Sequence, residues 1–178
     1  MRKLQFLFLT FLISVQLLAQ KTDSTFKKPE KEPVLEKKGY VITIPKGWKI
    51  QENCKEELCN LVAPFDTLGI LDTFLESINF TVNQLPSASY TVDEYARFSI
   101  KYLPSVVKNF SIVDRKKIKS NAFRLTYKGE KDKFKQTWRQ YYFVKNSKVF
   151  IMTFACETEK YTYYQPMIEP YLNSFRLK

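Results

Sequence analysis

The side chains best suited to chemistry in this chain are its cysteines: Cys54 and Cys59, at the ends of CKEELC, and Cys156 far downstream. Two nearby thiols can begin a zinc site, form a redox pair or close a disulfide. Structural zinc takes four Cys or His ligands, and the chain holds three cysteines and no histidine. A thioredoxin-type redox pair has two intervening residues, whereas four separate Cys54 from Cys59. A Cys54–Cys59 disulfide is therefore the expectation, provided that the protein reaches an oxidising compartment. Cys156, at the end of an apolar run, then stays unpaired and acts as a small buried hydrophobe.

The absence of histidine removes the common general base, the Ser-His and Cys-His pairs and the commonest transition-metal ligand. Asp93, Glu94, Glu157 and Glu159 sit where helices are expected to begin, and negative charge there favours the helix dipole without further purpose. Asp66 and Asp72 flank Gly69 and could hold calcium, but no dense Asp/Asn/Gly loop of the calcium-binding kind is present. No catalytic residue, metal site or cofactor is expected. A small carboxylate-dependent hydrolase or carbohydrate-active protein is the competing reading.

Binding residues are easier to nominate. The formal net charge is +11, carried by 23 lysines and 6 arginines, which disfavours forked phosphate recognition by arginine. Lys116, Lys117 and Lys119 form one basic stretch and residues 128–135 another, on either side of an expected strand. Paired in a sheet, they could make one positive edge, first of all a guard against aggregation and secondly a partner site. Tyr161, Tyr163 and Tyr164 lie within YTYY, where consecutive positions cannot all face one core, so an aromatic contact surface is expected there. The expected partner is another envelope or secreted protein. No groove-reading motif suggests nucleic acid.

The elements that position these residues begin after two segments of other character. Arg2 and Lys3, an apolar run and Ala19 have the plan of a secretory signal peptide, with cleavage after Ala19. Its removal takes away two basic residues and no acid, leaving +9. Later apolar runs are interrupted by charge, so no stable membrane insertion is expected after cleavage and the protein should be periplasmic or secreted. Residues 20–38 are rich in Lys, Glu and Pro and read as a flexible linker. Residues 39–178 then form one domain.

Within that domain Tyr40, Ile42 and Ile44 alternate as a strand, and Pro45-Lys46-Gly47 makes a turn. Ile78, Phe80 and Val82 alternate against Ser77, Asn79, Thr81 and Asn83. Thr91 and Glu94 form a capping-box signature. The stripe behind it, Val92, Tyr95, Phe98, Tyr102 and Val106, reads as the core face of a helix kinked near Pro104. Four strands follow in a meander, the last (residues 148–156) apolar on both faces and so placed mid-sheet. A helix over residues 160–173, with Pro166 suited to its first turn, and a short strand at SFRL end the chain. The layout is α+β: an antiparallel sheet of about six strands covered by helices on both faces.

The segments YVITIPKGW, INFTVNQLP, TVDEYARFSIKYLP, YYFVKNSKVFIMTF and the closing NSF resemble the PsbP-like/DcrB-like group of the Mog/PsbP-like fold over residues 39–178. The resemblance implies a sheet sandwiched between helices. It also implies a non-catalytic binding or assembly module, without catalytic residues to carry over.

Overall fold

The computed structural model describes residues 32–51, 54, 58–64 and 74–178. The expected signal peptide, the linker as far as residue 31 and the Asp66–Gly69–Asp72 loop lie outside them. In chain order the elements are β1 (Val34–Glu36), β2 (Tyr40–Thr43), β3 (Lys49–Ile50), β4 (Cys59–Val62) and β5 (Ser77–Gln84). They continue with α1 (Val92–Tyr102), β6 (Lys108–Lys119), β7 (Ala122–Lys131), β8 (Phe134–Lys145), β9 (Lys148–Glu157), α2 (Tyr161–Ser174) and β10 (Arg176–Leu177).

The strands make two antiparallel sheets rather than one. The larger has seven strands in the order β3-β4-β5-β9-β8-β7-β6, and the smaller has three in the order β1-β2-β10. As its nearly continuous apolar run requires, β9 sits at the centre of the large sheet and is buried from Val149 to Cys156. The opening strand belongs instead to the small sheet, where Tyr40 and Val41 pair with Leu177 and Arg176. The expected linker also ends sooner than residue 38. Leu35 is buried and pairs with Ile42, because even one apolar residue in a charged segment can complete an adjacent sheet.

One face of the large sheet packs against the small sheet and α2. Ile78, Phe80, Met152, Phe154 and Leu61 meet Tyr40, Ile42, Ile168 and Leu172 in a continuous apolar core. The other face carries α1, which sits mainly over β7 and β8. The capping box forms as expected: the Thr91 N–H donates to Glu94 Oε2 (2.7 Å) and the Glu94 N–H to Thr91 Oγ1 (3.2 Å). At the other end α1 gives way to a 3-10 turn at Leu103–Ser105, where Pro104 denies the α-helix a donor.

The aromatic stripe of α1 is not its core face. Val92, Ala96, Ser99 and Leu103 are buried, while Phe98 and Tyr102 are 54% and 53% exposed and stack on each other. The sheet beneath already supplies bulk through Tyr127, Trp138 and Tyr142, so small helix residues let the backbone approach. The close approach extends to Gly129, where a Cβ would stand 2.4 Å from Val107 Cγ1 and 2.7 Å from the Lys108 carbonyl oxygen.

The two basic stretches do not share one positive edge. Lys116 and Lys117 lie opposite Arg124 and Phe123, whereas Lys128 lies opposite Ser111, so the stretches occupy opposite ends of the β6–β7 pair. β6 is the outer strand and its register shifts three times along its length. Those irregularities, with its lysines, discourage edge-to-edge pairing.

Candidate binding clefts

The expected disulfide is present between Cys54 and Cys59. It ties residue 54 to the start of β4, where the Asn60 N–H donates to Cys54 Sγ (3.3 Å). Cys156 is free and buried on β9. Burial, helped by the charges of Glu76 and Glu157, pushes its thiol well above the ordinary range and disfavours the thiolate. Among the described residues no group of three or more His, Cys, Asp or Glu could hold a metal ion.

The nominated tyrosines separate. Tyr163 is 62% exposed, but Tyr164 is 7% exposed and forms a buried stripe with Ile168 and Leu172, one and two turns further along α2. Tyr161 is half-buried against the same core. The three therefore do not form a common contact surface. α2 lies within one residue of the expected helix at both ends, but Pro166 is not in its first turn. A 3-10 turn at Thr158–Lys160 runs directly into it, placing Pro166 and Pro170 inside the helix rather than Pro166 in its first turn.

The nominated lysines separate too, because successive strand residues face opposite sides. Lys117 reaches the α1 side and pairs with Asp93. Lys116 lies opposite Arg124, whose side chain turns to the α2 side. Lys119 reaches an open cleft of about 490 Å³ between the β6–β7 hairpin and β10. Tyr141, Phe143 and Phe175 line it with aromatic rings, Phe143 and Phe175 stacking at 4.5 Å between centroids. Arg176 is the second cation in the lining, Asn121 and Asn173 add neutral hydrogen-bonding groups, and no carboxylate of the described residues lines it.

Beside this cleft a charged cluster fastens α2 to the sheet. Arg139, 5% exposed, grips Glu169 with two contacts: Nη1 lies 2.6 Å from Oε2, and Nη2 donates to Oε1 at 3.0 Å. Arg124 donates to Asp114 (2.7 Å) and lies 3.9 Å from Glu169. Burial opposes the charge of Arg124, but its hydrogen bond and attraction to Asp114, with help from Tyr141, carry its pKa upward overall. Burial likewise raises the Tyr141 phenol. The cluster borders the Tyr141 wall, with the Arg139 guanidinium 5.8 Å from that ring's centre.

Carboxylates do come together elsewhere. Lys160 lies 2.8 Å from Glu157 and 3.7 Å from the buried Glu76. Neither acid lines the α2-side cleft or the smaller groove on the opposite face. The residues that sequence reasoning missed, Arg176, Tyr141, Phe143 and Phe175, come from two segments that only the fold joins.

No family model matches the sequence, and no curated protein sequence matches it. Three solved structures have the same architecture. Cyanobacterial PsbP from Synechocystis is 8% identical, with 82% of this chain and 92% of that one covered and a TM-score of 0.59. A Pseudomonas aeruginosa protein of unknown function is 12% identical over 80% and 94%, with a TM-score of 0.58. LpqN, involved in cell envelope biogenesis of Mycobacterium tuberculosis, is 10% identical over 84% and 87%, with a TM-score of 0.56. At these identities the likeness is one of architecture: the chain has the PsbP-like fold.

Proposed function

We propose that this chain is a non-catalytic binding module acting outside the cytoplasm, and that it captures an acidic segment of another envelope or secreted protein in the α2-side cleft. The observation that carries this reading is the cleft's lining: Lys119 and Arg176 beside Tyr141, Phe143 and Phe175, with no carboxylate among the described residues. Aromatic and arginine side chains are the usual anchors of protein interfaces. Unopposed cations steer an acidic partner and reject a basic one.

The extracytoplasmic setting is supported by the leader-like residues 1–19 and by the Cys54–Cys59 disulfide. Among the structural neighbours, LpqN takes part in cell envelope biogenesis. The competing hydrolase reading needs two carboxylates facing a cleft, and Glu76 and Glu157 instead share Lys160 away from both clefts.

The test is charge reversal. Lys119→Glu with Arg176→Glu should reduce capture of the partner from envelope extracts at least about tenfold, as expected when close charge pairs across an interface become repulsive. Both side chains are exposed, so the fold should survive. Undiminished capture by the folded double variant would place the site elsewhere.

A further inference from the structure

The opposite face of the large sheet carries a groove of about 300 Å³ with different chemistry. Its floor is a row of neutral polar side chains running across three strands. Asn79 on β5 lies opposite Thr153 on β9, and Thr153 lies opposite Gln140 on β8. Neighbouring strands are about 4.8 Å apart, so the row offers hydrogen-bonding groups at intervals comparable to the width of a six-membered sugar ring. Thr81 adds a hydroxyl beside Asn79 on the same strand face.

The row is held in place from one end. The buried Tyr142 hydroxyl donates to Gln140 Oε1 (2.6 Å), and Gln140 Nε2 donates to Thr153 Oγ1 (3.1 Å). Burial raises the Tyr142 phenol, so this donor stays protonated. With its oxygen already accepting, the Thr153 hydroxyl keeps a proton to donate. Asn79 contributes both a donor and an acceptor. Around the row the walls are apolar: Trp138, stacked on Tyr127 at 5.1 Å, and Leu103 and Val106 from the end of α1.

Charge and polarity together decide the ligand. Among the described residues Lys131 is the one charged member of the lining, so the groove offers a cation no described carboxylate and an anion a single lysine. A purely apolar molecule would strip water from the Asn79 amide and the Thr81 hydroxyl without replacing its hydrogen bonds. A neutral saccharide meets both demands, because its hydroxyls donate and accept while its C–H faces lie against aromatic and aliphatic walls. We infer that this groove is a binding site for a neutral glycan, separate from the cleft that contains Lys119.

The chain has two tryptophans, and Trp48 packs in the other core, so Trp48→Phe leaves Trp138 as the sole emitter. Titrating that protein with chitotetraose, cellotetraose and mannotetraose should produce a saturable change in emission with at least one of them. Asn79→Ala with Thr81→Val, which leaves the Tyr142–Gln140–Thr153 chain intact, should weaken that response about tenfold or more, the loss of two neutral hydrogen bonds. Gln140→Leu should weaken it further. Should Gln140→Leu fail to fold, the Asn79/Thr81 pair decides. Absence of a saturable response to all three sugars, or equal affinity in the Asn79/Thr81 variant, would overturn the inference.

Discussion

The two faces of the large sheet are packed by opposite means. On the α2 side, large side chains interlock in depth: Phe154, Met152 and Phe80 from the sheet meet Tyr40, Phe175 and Leu172 from above. On the α1 side, the sheet supplies the bulk and a short helix lays Val92, Ala96 and Ser99 over it. A deep apolar core leaves room for polar function at its margin, where Lys119 and Arg176 line the cleft. A thin helical cover leaves part of the sheet's own face open, and the polar groups lining that groove are those of Asn, Thr and Gln. The side with the larger core thus borders the charged cleft, and the side with the lighter cover the neutral groove.

Substitutions can break that contrast. The largest effect belongs to the deep core: Phe154→Ala should cost about 3–5 kcal/mol, the range for large-to-small changes at buried aromatics. Chemical denaturation would show it as a fall in midpoint. On the α1 side the informative change runs the other way. Ala96→Leu forces bulk into a close helix–sheet contact and should cost about 1–3 kcal/mol, whereas an equal or greater stability would mean that the helix has slack.

The disulfide comes next. Replacing Cys54 and Cys59 by Ser should cost about 2 kcal/mol, the loop-closure value for a short loop. A thiol count on the unaltered protein should find no reactive group in the native state and one, Cys156, after unfolding. The smallest effect concerns the start of α1, where Thr91→Ala should cost about 1 kcal/mol. The backbone N–H and hydroxyl of Thr91 hold the Glu94 carboxyl below its usual range. Because the folded pKa is lowered, the carboxylate's share of the cap is complete above the ordinary glutamate range. It is lost as pH falls through the lowered value. Acid titration should therefore destabilise wild type more than Thr91→Ala over that interval.

Much of this arrangement is legible in the sequence, for reasons particular residues make clear. A period of two cannot be hidden, so the face of β5 follows from Ile78 and Phe80 against Asn79 and Thr81. The capping box is local, so Thr91 and Glu94 announce α1 by themselves. The burying face of α1 was harder to see. A helix carries overlapping stripes, and Val92 begins both the aromatic one and the small one. Only the bulk of Tyr127 and Trp138 beneath decides between them. The same limit applies to Tyr164, whose inward direction is set by Ile168 and Leu172. The clefts were least legible. Lys119 stands in a basic run of the sequence, but its aromatic companions come from β8 and the end of α2, which the chain brings together only on folding.

The most direct test of the central claim, that the α2-side cleft is the site for an acidic partner, is a backbone amide NMR titration of the isotope-labelled protein with an oligoglutamate peptide carrying one phenylalanine. Saturable shifts should centre on residues 118–122 and 172–177, and disappear in the Lys119→Glu, Arg176→Glu variant. Shifts scattered over every exposed lysine, or shifts that persist in that variant, would contradict it.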